Sequence, residues 1–310
     1  MQLVAYGAQD IYLTGNPQIT FWKVVYRRHT NFAKECIEQT LDGTVGASAS
    51  TVSATISRNG DLLSGLHLEI LFNNASVTNN GSYVNWTNNT GHAYVKDCEV
   101  QIGGQRIDKH TGHWMECWAE LTENKTGRAV GTNFQTMSGY GAGVANNENN
   151  VATDAAVGSQ ASFVLVDQAS AIQWMPLQFW FCRNPGLALP LIALQYHEVK
   201  VKLATRGMVG LVNSTGTLAG TAAAPTVNMY VDYIYLDTDE RRRFAQVSHE
   251  YLIEQVQRGE IAASQTQKLN FNHPVKELIW TSASSYTTAQ LKLNGHDRFS
   301  AQQEEYFQLR

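Results

Sequence analysis

Cys98-Glu-Val-Gln-Ile102-Gly-Gly-Gln-Arg-Ile107 decides the fold class. Cys98, Val100 and Ile102 alternate with polar residues, so an extended chain here has one apolar face and one wet face. Gly103-Gly104 then separates this run from a second short one over residues 105–107. Two residues linking alternating runs read as a hairpin, because the turns that match strand twist need positive φ. Outward from this hairpin the same period recurs. Val52, Ala54 and Ile56 alternate, as do Leu66, Leu68 and Ile70, and Val199, Val201 and Leu203. Residues 230–236 are rich in aromatic and β-branched side chains. Residues 275–280 and 290–293 are shorter strand candidates, and Asn294-Gly295 is a second hairpin signal. The chain is all-β and antiparallel on this reading.

Composition agrees. The 310 residues are 43% apolar and 16% charged, against roughly 25% charged in an average globular protein. There is enough apolar material for a core, and the wet surface has to come from Asn, Gln, Ser, Thr and Gly. With 23 basic and 27 acidic residues, no positive excess points to a surface that coats nucleic acid. Cys36, Cys98, Cys117 and Cys182 are too few and too widely spaced for a disulfide scaffold, and free buried thiols are expected. Residues 1–6 lack the basic and apolar regions of a secretory leader. The strongest apolar run, residues 187–194, contains Pro190 and falls far short of a membrane span of about 20 residues. A soluble protein made in a reducing cytosol follows as the expectation.

Helical signal is sparse. Residues 109–122 and 239–246 are the two candidates. Residues 73–89, 139–158 and 207–225 are Asn- or Gly/Ala-rich and read as long loops. Residues 259–267 are polar without period and read as a linker between domains.

No constellation makes a convincing active centre. His110, His113 and Cys117, with Glu116 beside them, would line one helix face as zinc ligands, but Trp114 and Trp118 favour a helix packed on a sheet. Residues 139–143, Gly-Tyr-Gly-Ala-Gly, lack the Lys-Ser/Thr of a phosphate loop. His197-Glu198 is not the start of a zinc-protease motif, since Val201 stands where the second ligand would. Asp237, Asp239 and Glu240 could pair for acid–base work, but Arg241, Arg242 and Arg243 follow and favour a local ion-pair network. Tyr26-Arg27-Arg28-His29 is a small basic patch, read as solvated or ion-paired. Sequons stand at Asn74, Asn80, Asn85, Asn88, Asn124 and Asn213, the first four within one loop. They are candidate glycosylation sites for a route that does not need a secretory leader. No cofactor and no metal is expected.

Several stretches together resemble one family. Ala5-Tyr-Gly-Ala-Gln-Asp-Ile-Tyr-Leu-Thr-Gly-Asn-Pro-Gln-Ile-Thr-Phe-Trp-Lys-Val-Val-Tyr-Arg-Arg-His-Thr-Asn-Phe32 is similar to the N-terminal signature of the major capsid proteins of nucleocytoplasmic large DNA viruses. Ile56-Ser-Arg-Asn-Gly-Asp-Leu62 and Ile102-Gly-Gly-Gln-Arg-Ile-Asp-Lys-His110 continue the match. So do the block that starts at Pro185 and ends at Val199, and the block from Val231 through Asp237 to Ala245. His249-Glu-Tyr-Leu-Ile-Glu254, Phe271-Asn-His-Pro274 and Leu293-Asn-Gly-His-Asp-Arg-Phe299 complete it in order. The members from algal viruses are the most similar.

The resemblance implies a double jelly roll, that is, two consecutive antiparallel β-sandwiches. It implies an arm over 1–18, a first jelly roll over 19–244, a linker over 245–267 and the start of a second jelly roll over 268–310. The family's later blocks do not appear in this chain. The implied function is structural and non-enzymatic: a homotrimer forms a pseudo-hexagonal capsomer and, with neighbouring capsomers and minor capsid proteins, tiles an icosahedral shell. The arm would come close to an inner membrane, nucleic acid would not be bound sequence-specifically, and synthesis would take place in the host cytoplasm. Low charge suits this role, since many copies must pack without mutual repulsion. Two other classes stay open on the residues alone. A carbohydrate-binding jelly roll would stack sugars on Tyr83, Trp86 and Tyr140, and a cupin-like metalloenzyme would cluster His and Glu on strands. The ordered motifs favour the shell protein.

Overall fold

The computed structural model describes residues 29–72, 75–79, 84–87, 89–122, 137, 161–165, 172–214, 218–259, 266–282, 285–297 and 299–309. Eight strands carry the fold. They are β1 (Phe32–Gln39), β2 (Thr51–Thr55), β3 (Leu62–Leu71), β4 (Val95–Ile102), β5 (Gln105–Thr111), β6 (Gln173–Pro176), β7 (Val199–Thr205) and β8 (Thr226–Leu236). One sheet runs β1-β8-β3-β6, with Leu189–Pro190 added beside β3. The other runs β2-β7-β4-β5, with Leu41–Asp42 added beside β2. Every pairing is antiparallel. The chain changes sheet at every connection but the β4–β5 hairpin. That order is the eight-stranded jelly roll.

The alternation read from the sequence is what closes the sandwich. Val52 and Ala54 on β2, Leu66, Leu68 and Ile70 on β3, and Cys98 and Val100 on β4 all point inward and are buried. Val199, Val201 and Leu203 on β7 and Val227, Met229, Val231 and Tyr233 on β8 meet them. Burying a side chain of this size contributes roughly 1.5–3 kcal/mol, so a core this large outweighs any single polar contact in the molecule. Phe179, Trp180 and Phe181 fill the same core from the β6–β7 connection. Gly103 and Gly104 make the β4–β5 turn with φ of 59° and 82°, the expected primed geometry.

Helices among the described residues are α1 (Thr90–Tyr94), α2 (Gly112–Thr122), α3 (Trp180–Arg183), α4 (Thr238–Gln246) and, after the sandwich, α5 (Glu304–Leu309). The helix expected from residue 109 starts at Gly112, because residues 109–111 stay paired to β4. Thr111 ends the strand and caps the helix, its Oγ1 accepting from the Trp114 N–H at 3.2 Å. Two stretches read as loops contain strands. Residues 73–89 hold Ala75–Asn79 and Val84–Trp86, and residues 207–225 hold Val212–Ser214 and Leu218–Ala222. Their partners lie more than 80 residues away along the chain, which no local reading can supply.

Beyond α4 the chain is mostly irregular. Residues 275–280 form no strand, since no described sheet offers them a partner. Residues 290–293 hold only an isolated bridge, Leu293 to His296, around a turn in which Asn294 and Gly295 have φ of 52° and 78°. The Asn-Gly hairpin signal is correct there, but its flanks are short. Thr288–Ala289 pairs with Gln302–Gln303 beside it. Residues 139–158 and 260–265 lie outside the described residues. Among the described residues no helix is long and apolar enough to cross a membrane.

Candidate functional site

The jelly roll has two ends, and the chain treats them differently. The β3–β4, β5–β6 and β7–β8 connections all leave from one end, because Leu71 faces Thr226 and Asp97 faces Thr111 in the ladders there. Each connection contributes one strand to a three-stranded sheet in the order Leu218–Ala222, Ala75–Asn79, Ala161–Leu165. Val84–Trp86 and Val212–Ser214 form a second ladder. Three crossings are thus knitted into one platform. Residues 73–89 and 207–225 contain no Asp, Glu, Lys or Arg, so most of this platform is built from uncharged chain.

Beneath it, α1 and α2 are fixed by polar contacts inside the fold. His92 is buried, and its Nδ1 lies 2.7 Å from Glu116 Oε2. Asn89 Nδ2 donates to the other oxygen of the same carboxylate. Gly112 sits against the His92 and Val95 carbonyl oxygens, where a Cβ has no room. These contacts tie the platform's base to the sandwich.

The opposite end is locked by ions. The Asp61 side chain is 9% exposed and accepts from Arg241 Nε at 2.9 Å, from Arg241 Nη2 at 3.0 Å and from the Leu236 N–H at 2.8 Å. Asp237 caps α4, accepting from the Thr238 N–H at 2.8 Å. Arg241 therefore pairs with a carboxylate 180 positions away rather than with the neighbouring Asp237, Asp239 or Glu240. The local network expected from sequence is corrected to a long-range clamp. Phe244 packs with Leu62, Ala188, Ile234 and Leu236 in a small satellite cluster under α4.

The residues weighed and set aside as zinc ligands are dispersed. His110 lies on β5, not on the helix, and faces Asp108 at 2.8 Å. His113 meets Thr281 at 3.1 Å, and Glu116 is taken by His92 and Asn89. Burial pushes the Cys117 thiol up, helped by the Glu116 charge, so it stays protonated. No group of His, Cys, Asp and Glu that could hold a metal occurs among the described residues. His197 packs over Gly103, and Glu198 pairs with Lys200 at 3.1 Å. His29 is exposed, while residues 26–28 and 139–143 lie outside the described residues.

All four cysteines are free, but of the four expected to be buried only Cys98 is; Cys117 and Cys182 are half-buried and Cys36 is exposed. Desolvation first, and a hydrogen bond to Asp232 second, push its thiol up to about 11. Burial pushes Cys182 up to about 12 and raises Cys98 as well. None is a poised nucleophile. Asn74, Asn80, Asn88 and Asn124 lie outside the described residues, as do Tyr83 and Tyr140. Asn85 and Asn213 are direct partners in the Val84–Trp86 ladder, and Trp86 stands at its end. Sequence reasoning assigned no role to Asp61, His92 or Asp108, single polar residues whose partners only the fold reveals.

Comparison with known proteins places the architecture. A family model described as "Major capsid protein N-terminus" matches residues 20–237. A second, "Large eukaryotic DNA virus major capsid protein", matches residues 240–288. The chain is 50% identical to the major capsid protein of Pyramimonas orientalis virus, covering 100% of this chain and 74% of that one. It is 46% identical to the major capsid protein of Phaeocystis pouchetii virus over 90% of this chain, and spans 57% of that relative's length. Among solved structures, the quasi-atomic model of the PBCV-1 virus capsid superposes with a TM-score of 0.63 at 34% identity, covering 93% of this chain and 75% of that one.

Proposed function

The chain belongs to the family of large eukaryotic DNA virus major capsid proteins, structural and non-enzymatic components of the virion shell, and from that premise we propose that three copies associate into a pseudo-hexagonal capsomer. The observation that carries this reading is the jelly-roll order β1-β8-β3-β6 over β2-β7-β4-β5, with three connections knitted into one platform. A shell subunit needs a rigid body and an end that makes contacts, and this fold separates the two. Few charges near the platform reduce the repulsion between like copies.

The domain organisation that fits is an arm over 1–18, a first jelly roll over 19–244, a linker over 245–267 and a second jelly-roll segment from 268. The platform would face outward or toward neighbouring subunits, and the arm would lie beneath, near an inner membrane and the minor capsid proteins. Synthesis in the host cytoplasm fits the free thiols. Asn85 and Asn213, with the other four sequons, are the asparagines at which glycans would be carried.

Native mass spectrometry of the purified chain, with denaturation in the same run, tests the reading. Three-chain assemblies are expected at micromolar concentration. A strict monomer across that range refutes self-association of this chain. A denatured mass equal to 34.4 kDa refutes glycan occupancy in the material tested.

A further inference from the structure

The first sandwich carries a carboxylate sealed from water beside an equally buried imidazole. Asp108 and His110 are each 1% exposed at the side chain, with His110 Nε2 at 2.8 Å from Asp108 Oδ2. The His110 ring stacks on Phe179, with centroids 4.3 Å apart. A carboxylate this deep has to be matched by donors, since an unpaired buried charge costs several kcal/mol. Oδ2 makes no hydrogen bond, so Oδ1 carries them, accepting from the Lys109 N–H at 2.9 Å and from the Val256 N–H at 3.1 Å. The last donor comes from 148 positions along the chain, beyond α4.

The segment that brings it crosses the edge of the sandwich. β5 is the edge strand of its sheet, and its Ile107 carbonyl accepts from Gln255 Nε2. The residues on either side of this pair reach the C-terminal segment. Gln257 holds Asn272 in both directions, Nε2 donating to the Asn272 carbonyl and Oε1 accepting from its N–H, each at 2.9 Å. Glu254 bridges Lys276 and, at 3.1 Å, Arg183, which itself lies 5.0 Å over the Trp118 ring. The Lys276 hydrogen bond first, with the charges of Arg183 and Lys276, holds the Glu254 carboxyl below its usual range.

We propose that residues 254–257 form a latched strap: the buried Asp108 carboxylate fixes the strap to the first sandwich, and the strap in turn positions residues 272–276. Asp108 is a positioning residue in this scheme. Residues 255 and 256 hold the sandwich, residue 257 holds the C-terminal segment and Glu254 bridges the two, so the strap transmits the placement of one to the other. The strap is a property of the single chain, so its test does not depend on capsomer formation.

Amide hydrogen exchange on the whole chain reads the latch. Asp108→Asn replaces a charged acceptor by a neutral one, and the Val256 amide should exchange about tenfold faster. The Met229 and Val231 amides at the centre of β8 should keep their wild-type rates. Val256→Pro removes the donor from the strap and leaves Asp108 in place, so the sandwich core is untouched. It should speed exchange at the Asn272 amide about tenfold, again without change at Met229 and Val231. An Asn272 rate equal to wild type in Val256→Pro overturns the proposal. If Asp108→Asn loosens the whole core, Val256→Pro decides alone.

Discussion

Removing Arg241 should loosen one end of the jelly roll by an amount the geometry sets. Asp61 accepts three hydrogen bonds, two from Arg241 and one from the Leu236 N–H. Its side chain is 9% exposed, while that of Arg241 is 51% exposed. Breaking a fully buried pair costs about 3–5 kcal/mol, and an exposed pair contributes about 0–1. A half-exposed partner lies between, so Arg241→Ala should cost about 2 kcal/mol. Asp61→Ala also orphans the Leu236 N–H and should cost about 3 kcal/mol. The double variant should cost little more than Asp61→Ala alone, giving a coupling of about 1.5 kcal/mol. Urea unfolding of the four proteins measures this, and Tm should fall by about 4–8 °C for Arg241→Ala. Exposure of Phe244 from its satellite cluster would add a local opening of α4. A coupling below about 0.5 kcal/mol would refute the clamp and return Arg241 to the solvated surface.

Two further outcomes follow from particular contacts. Gly112→Ala places a Cβ against the His92 and Val95 carbonyl oxygens, which are backbone and cannot rotate away. It should cost about 3 kcal/mol or more by thermal unfolding, while Gly210→Ala, whose Cβ meets nothing within 4 Å, should stay within about 0.5 kcal/mol. Equal effects at the two sites would remove the close approach of α1 and α2 from the argument. Cys36 is exposed, but its thiol is raised from 9.0 to about 11, so at pH 8 it should alkylate about 100-fold more slowly than an unperturbed thiol. The raised value means the thiolate appears late, and the rate should climb about tenfold per pH unit up to pH 11. Asp232→Asn should recover part of the rate, since burial is the larger cause. Labelling at the speed of free cysteine would contradict the contact with Asp232.

The parts of the fold visible in the sequence are those whose cause is local. Val199, Val201 and Leu203 alternate because one face of β7 is core, and that pattern is complete within seven residues. Gly103-Gly104 encodes its own turn. The ordered motifs add what periodicity cannot, namely which strand lies beside which. By contrast, Ala75–Asn79 and Leu218–Ala222 have Asn, Gly and Ala compositions that suit loops, and they become strands only by pairing with each other and, for Ala75–Asn79, with Ala161–Leu165. The same holds for charge. Nothing in residues 56–62 marks Asp61 as the acceptor for Arg241, and the three consecutive arginines suggest local partners instead. His110 fitted a helical spacing that the structure does not have, because pairing to Cys98 keeps it on a strand.

These non-local pairings also fix the order in which the molecule can be completed. Among the described residues β1 pairs with β8 and with no other strand, Phe32 facing Leu236 and Gln39 facing Met229. The β1 edge therefore waits for almost 200 further residues before it gains a partner. β3 waits for β6, and β2, beyond its short pairing with Leu41–Asp42, waits for β7. The β4–β5 hairpin can form at once, but its inward Cys98 and Val100 find their cover only when the second sheet closes. Long-range closure makes such topologies slow, and unpaired edges invite association with other chains in the interval. Charged residues are placed where that hazard is greatest: β1 carries Lys34, Glu35 and Glu38, all exposed. The platform has no such protection in residues 73–89 or 207–225, and its strands are mutually paired once β8 is in place. The chain thus keeps charge on its early, solitary edge and omits it from residues 73–89 and 207–225, which pair across the platform. That division protects the β1 edge during the long interval before β8 arrives to pair with it.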